Sequence, residues 1–202
     1  MPDYSYEKAA ETSGFKLICG VDEAGRGPLA GPVCAAAVIL PQDLEIEGLN
    51  DSKKLSEKKR EQLFDIITEK AIAYCVAYGT LEEIEEHNIL NATYFAMNRA
   101  INGLEKVDFA LIDGNRIPKD IKVPAATIVK GDAKSMSIAA ASILAKVSRD
   151  RLLLEYDQKY PRYQFAKHKG YGTKLHTDLI KEFGPCEIHR LSFLKNILGE
   201  NK

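Results

Sequence analysis

Short apolar runs bounded by glycine, proline or charge alternate along this chain with longer stretches whose apolar residues recur every three to four positions. The first kind predicts strands over residues 16–21 and 33–40, separated by a loop rich in glycine and proline, then over 71–78, 107–112 and 123–129. The second kind predicts helices. Ser56 caps one that runs to about residue 70 and turns Leu63, Phe64, Ile67 and Ala71 to one side. Thr80 and Glu83 match a capping box, opening a helical stretch to residue 86 that resumes over 91–102 and stops at Gly103. An alanine-rich helix over 135–160 ends at Pro161, where the ring cannot continue it. A helix over 173–183 is stopped by Gly184-Pro185, and a shorter pattern follows at 193–198. Three strands first, then strands alternating with helices, predict an α/β fold: a mixed five-stranded sheet flanked by helices over residues 1–160. Residues 161–202 read as a small C-terminal helical appendage packed on the same domain, because no linker or repeat sets it apart.

Composition narrows the class. With 202 residues, 45% of them hydrophobic and 28% charged, the chain is long enough for one well-buried domain. No apolar run approaches the roughly 18 residues a membrane span needs, and Met1-Pro2-Asp3-Tyr4 lacks the basic start of a secretion signal. A cytoplasmic protein with no membrane partner is expected. Cys19, Cys34, Cys75 and Cys186 show no CxxC spacing and read as reduced thiols, and Cys186 with His189 is half a zinc site without a second pair. A net charge of −1 excludes nucleic-acid binding through an overall positive field, so any such binding is local. Lys53-Lys54 with Lys58-Lys59-Arg60, and Lys167-His168-Lys169 before Gly170-Tyr171-Gly172, are the candidates, although each also reads as a solvated face.

Four acids stand at strand ends. The run Leu17-Ile18-Cys19-Gly20-Val21 meets Asp22 and Glu23 before Ala24-Gly25-Arg26-Gly27-Pro28, and two adjacent carboxylates raise each other's pKa unless a cation sits between them. Asp113 follows the fourth apolar run and precedes Gly114, and Asp132 lies between the fifth run and the long helix. Each has an ordinary alternative: a solvated turn for the Asp-Glu pair, a turn-former at Asp113-Gly114, a helix cap at Asp132. Taken together they occupy the junctions where open α/β sheets place ligands, and converging carboxylates would call for a pair of Mg²⁺ or Mn²⁺ ions. No GxxxxGK[ST] loop, GxSxG elbow or HExxH competes.

The stretch Gly20-Val21-Asp22-Glu23-Ala24-Gly25-Arg26-Gly27-Pro28-Leu29-Ala30-Gly31-Pro32-Val33 closely resembles the opening motif of bacterial ribonuclease HII, the type 2 ribonuclease H. Asn50-Asp51-Ser52-Lys53-Lys54, Leu111-Ile112-Asp113-Gly114-Asn115, Val129-Lys130-Gly131-Asp132, Ala140-Ala141-Ser142-Ile143-Leu144-Ala145-Lys146 and His168-Lys169-Gly170-Tyr171-Gly172 resemble further family motifs, in family order. The resemblance implies a ribonuclease H-like fold whose first three strands are antiparallel. It implies an endoribonuclease that cuts on the 5′ side of a ribonucleotide in RNA–DNA hybrids and in DNA duplexes containing single ribonucleotides, leaving 3′-hydroxyl and 5′-phosphate ends. Asp22, Glu23, Asp113 and Asp132 match the family's metal-binding acids. Gly25, Arg26 and Gly27 match the loop that detects the ribose 2′-hydroxyl, and Tyr171 the ring that packs on the following deoxyribose. Ser52, Lys53 and Lys54 would contact phosphates, and His168 and His176 receive no role. A monomer acting on duplex is expected. Two other readings stay open: a junction resolvase on the same fold, and a non-catalytic hybrid-binding module.

Overall fold

The computed structural model describes residues 1–199, so the last three residues of the expected appendage lie outside the described residues. A short helix α1 (Ser5–Thr12) precedes strands β1 (Ile18–Ala24) and β2 (Val33–Ile39), then helix α2 (Glu57–Lys70), strand β3 (Ala73–Gly79) and helix α3 (Leu81–Asn102). Strands β4 (Phe109–Asp113) and β5 (Ala125–Ile128) follow, and then the long helix α4 (Met136–Lys159). Helices α5 (Phe165–His168), α6 (Lys174–Phe183) and α7 (Leu191–Leu198) complete the chain. The sheet has the order β3-β2-β1-β4-β5, antiparallel across β3, β2 and β1 and parallel across β1, β4 and β5. This is the mixed five-stranded sheet flanked by helices that the sequence predicts.

Strand alternation assigns the faces. Cys34, Ala36 and Val38 of β2 pack with Leu63, Ile67, Ala140 and Ile143 of α2 and α4, whereas Ala35 and Ala37 pack with Val21, Ala96, Ala100 and Ile112 on the α3 side. Side chains of β1 obey the same period of two. Gly20 and Asp22 therefore face α4, and Glu23 faces the other way.

Three departures from the sequence expectation carry information. Strand β1 continues past Val21 because Asp22 and Glu23 pair with Ala36 and Ala35 of β2, while its parallel pairing with β4 ends at Val21↔Ile112. The two acids sit where β1 and β4 part. Helix α3 is continuous in outline but broken at Asn88, whose φ of 66° is left-handed. Its Oδ1 accepts from the N–H groups of Leu90 and Asn91 at 3.0 and 3.2 Å, so it caps the second half of a helix predicted in two pieces. Helix α1 is not among the predicted helices, being only eight residues long with Tyr6 as its one large apolar side chain. It is held by Glu7, whose Oε1 accepts from the hydroxyls of Ser135 and Ser137 and from the Ser137 N–H.

The C-terminal segment shares an apolar cluster of Tyr163, Phe165, Leu179 and Ile188 with Ala30 and with Leu153 of α4. Buried in the same region are His168, His176 and His189. Burial pushes His176 and His189 down to about 4, with neighbouring histidines adding to the effect. The unfolded chain takes up protons at these rings below about pH 6.5, whereas the folded chain does so only near pH 4. Their contribution to stability is complete above pH 6.5 and is lost as the pH falls toward 4, by up to about 3 kcal/mol per ring. In an NMR titration from pH 7 to 5, both rings are expected to stay neutral; a midpoint near 6.5 for either would overturn this.

Candidate functional site

The site begins with the point where β1 and β4 part. Asp22 and Asp113 both project toward α4, and Asp132 lies in the 3-10 turn Gly131–Ala133 just before that helix. Asp113 is anchored: its Oδ1 accepts the Gly131 N–H at 2.6 Å. Gly131 is required by space, since a Cβ there would stand 2.6 Å from Ile138 Cδ1. Sequence places these acids on three separate elements, and the fold brings all three to the start of α4.

Electrostatics shows a cluster short of positive charge. Burial, then the charges of Glu23 and Asp113, hold the Asp22 carboxyl well above the usual range, although the Glu23 N–H and Ser142 pull the other way. Asp132 is raised by burial and by Asp51 and Asp113, and Glu23 by burial despite Arg26, whose Nη1 lies 3.2 Å from Glu23 Oε1. Lys53 lies among these acids. Burial opposes its charge, yet Asp22, Asp132, Asp51 and Asp113 together raise it, and its Nζ is 4.0 Å from Asp132 Oδ2. Among the described residues no three His, Cys, Asp or Glu side chains are gathered closely enough to hold a metal ion unaided. Mutual repulsion gives the physical reason: carboxylates approach one another only when a cation lies between them.

Two cavities open from Glu23 and Arg26. The first, about 290 Å³, is lined by Thr93 and Tyr94 of α3 and by Asp113 and Arg116 at and beyond the end of β4. The second, about 210 Å³, is lined by Gly25, Gly27, Ser52, Lys53, Ser142, Lys146 and Tyr171. Tyr171 is 42% exposed, with Lys146 Nζ 5.7 Å and Arg149 Cζ 5.9 Å from its ring centre. Ser52 is buried and tied to α4 through Ser142, with the two Oγ atoms 2.9 Å apart. Lys54 does not line this cavity, and its Nζ lies 4.0 Å from Asp51 Oδ2. Thus ten of the eleven residues singled out from the sequence surround the acids and the second cavity, and Lys54 stands outside.

Sequence reasoning missed the two residues that shape the loop. Arg190 is fully buried, and its guanidinium donates to four carbonyls: Gly31 from Nε at 2.8 Å, Arg26 and Pro28 from Nη1 at 3.0 and 2.9 Å, and Gly25 from Nη2 at 2.7 Å. Arg149 donates to the carbonyls of Pro32, Ala30 and Lys169 at 3.2, 2.9 and 3.0 Å. Gly25 adopts φ +94°, and a Cβ there would fall 2.0 Å from Arg149 Nε. With its carbonyls turned inward, the loop leaves the N–H groups of Arg26 and Gly27 without a protein acceptor among the described residues. Burial lowers Arg190 to about 9, with Arg149 contributing, so the contact is retained at neutral pH. Arg190→Met leaves four inward carbonyls without donors, and the expected cost is about 3–5 kcal/mol in urea unfolding. Arg190→Lys recovers only part of it, because an ammonium cannot span the fork. An unchanged urea midpoint for the Met variant would sink this assignment.

A model of the family described as Ribonuclease HII matches residues 19–196. Ribonuclease HII of Acetivibrio thermocellus is 60% identical over 194 residues, which are 96% of this chain and 75% of that protein. The ribonuclease H2 structure from Pyrococcus horikoshii OT3 aligns at TM-score 0.75 and 28% identity over 92% of this chain and 98% of that one. Bst-RNase HIII in complex with Mn²⁺ shares the fold, with TM-score 0.68 and 18% identity over 92% and 70%.

Proposed function

The chain belongs to the ribonuclease HII family and is thereby a type 2 ribonuclease H endonuclease, and from that premise we propose that it uses divalent metal to cut the phosphodiester 5′ to a ribonucleotide. The substrates on this reading are RNA–DNA hybrids and DNA duplexes containing single ribonucleotides, cut by a cytoplasmic monomer to 3′-hydroxyl and 5′-phosphate ends. The observation that carries the reading is the undercompensated acid cluster opening into a basic cavity walled by a glycine loop and a tyrosine.

The residues fit a metal. Hard carboxylate oxygens suit Mg²⁺ or Mn²⁺, and a buried Asp22 raised by its neighbours gains from any cation added. Asp22, Glu23, Asp113 and Asp132 would hold a pair of ions. The chemistry such ions supply is a water of lowered pKa and charge neutralisation at the departing 3′ oxygen. The fold shared with the Mn²⁺ complex of Bst-RNase HIII supports this choice.

The chain's own groups do the recognising. Among the described residues the N–H groups of Arg26 and Gly27 have no protein acceptor, which leaves them as donors for a ribose hydroxyl, while Gly25 lets the backbone approach a sugar without a Cβ in the way. Tyr171 offers a ring to the sugar that follows. Ser52, Lys53 and Lys54 contact phosphates, which position a duplex without reading its sequence. Residues 161–202, which supply Tyr171 and Arg190, work as part of the same domain as residues 1–160.

The deciding experiment is cleavage of an end-labelled DNA duplex carrying one ribonucleotide, with and without Mg²⁺ or Mn²⁺, mapped to the nucleotide. A metal-dependent cut 5′ to the ribonucleotide, absent from all-DNA duplex, is expected. Binding without cleavage, or cutting of all-DNA junctions, would overturn the proposal in favour of a binding module or a resolvase.

A further inference from the structure

Three buried histidines behind Tyr171 take no part in the mechanism above, yet their hydrogen bonds form a chain with one direction. The Cys186 N–H donates to His189 Nδ1 at 2.9 Å, so that nitrogen carries no proton and the neutral ring keeps its proton on Nε2. His189 Nε2 lies 3.0 Å from His176 Nε2 and donates to it. The His176 proton is then on Nδ1, which donates to the Tyr171 carbonyl at 3.0 Å. A backbone amide fifteen residues downstream thus dictates which nitrogen of His176 addresses Tyr171.

The remaining contacts hold the same segment. The Tyr171 N–H donates to the His168 carbonyl at 2.9 Å, and the His168 ring stacks on His176 with centroids 4.1 Å apart. His168 is fixed in turn, since its Nδ1 accepts the Gly170 N–H and its Nε2 donates to the Tyr163 carbonyl at 2.8 Å. Gly170 accepts the Leu29 N–H at 2.8 Å, which joins this segment to the Gly25-Arg26-Gly27 loop. Leucine at position 176 would fill the space without the cost of burying a polar ring. What histidine adds is a donor of fixed direction.

We propose that His176 is a positioning residue for Tyr171, held in its Nδ1–H tautomer by His189, and that it thereby sets the preference for a ribonucleotide followed by deoxyribose. The inference rests on the reading of Tyr171 given above. Relayed through a single carbonyl, the effect falls on substrate choice and not on the acids.

The test compares two variants that separate the ring's nitrogens. Asparagine places its amide where Nδ1 stands, and glutamine where Nε2 stands. The readout is the ratio of kcat/KM for a single-ribonucleotide duplex to kcat/KM for a uniform RNA–DNA hybrid, with thermal midpoints recorded. His176→Gln is expected to lower the ratio about tenfold, and His176→Asn to stay within about threefold of wild type. Equal ratios in both variants, whatever their stability, would make the role structural and overturn the inference. Tyr171→Ala separates the two layers. If it leaves the ratio unchanged, the reading of Tyr171 fails; if it collapses the ratio while His176→Gln does not, the positioning role alone fails. Should the glutamine variant not fold, ¹⁵N NMR of wild-type His176 decides: the Nδ1–H tautomer is expected, and the Nε2–H tautomer overturns the inference.

Discussion

Asp113→Asn is expected to lower metal-dependent cleavage by at least about a thousandfold while leaving the protein folded. The asparagine Oδ1 can still accept the Gly131 N–H that Asp113 receives at 2.6 Å, so the turn leading into α4 keeps its anchor. What is lost is one negative charge. That charge raises both Asp22 and Asp132, so its removal relieves repulsion, and the thermal midpoint should hold or rise. The separation of the two readouts is the point: a structural aspartate would lose stability with little loss of rate, whereas a metal ligand loses rate without stability. Single-turnover cleavage with Mn²⁺ alongside a thermal melt gives both numbers. A rate within tenfold of wild type would remove Asp113 from the metal site.

The acids were legible because each ends an apolar run, and the gap left between two helical stretches is occupied by Asn88 capping the second. The extension of β1 through Asp22 and Glu23 was not, since it depends on Ala35 and Ala36 of another strand lying opposite. Arg149 and Arg190 carry no local signal in the sequence. Their burial is decided mainly by carbonyls of residues 25–32, 117 to 165 residues away in sequence, a relation that no local pattern encodes. Ser142 was hidden in an alanine run, where a small hydroxyl facing Asp22 looks like helix filling.

Gly20→Ala is expected to cost about 3 kcal/mol or more, lowering the thermal midpoint by about 10 °C or preventing folding. A Cβ at position 20 would stand 2.1 Å from the Ser137 carbonyl carbon and 2.2 Å from the Ile138 nitrogen. Both are backbone atoms, so no side chain can rotate away, and either β1 or the start of α4 must move. Strand β1 is fixed on both sides by β2 and β4, which leaves the helix. Its start is pinned by Ser135, whose Oγ accepts the Ile138 N–H, and by Glu7 from α1. Displacing it also carries Ser142 away from Asp22 and shifts the turn that holds Asp132. Any folded Gly20→Ala protein should therefore cleave poorly as well. Gly27→Ala is the control for stability: its Cβ would meet nothing within 4 Å, and its urea midpoint should match wild type. A Gly20→Ala variant within 1 kcal/mol of wild type in urea, a margin well inside the cost of such an overlap, would show that the helix can yield, and the tight junction of β1 and α4 would lose its place as the feature that aligns the acids.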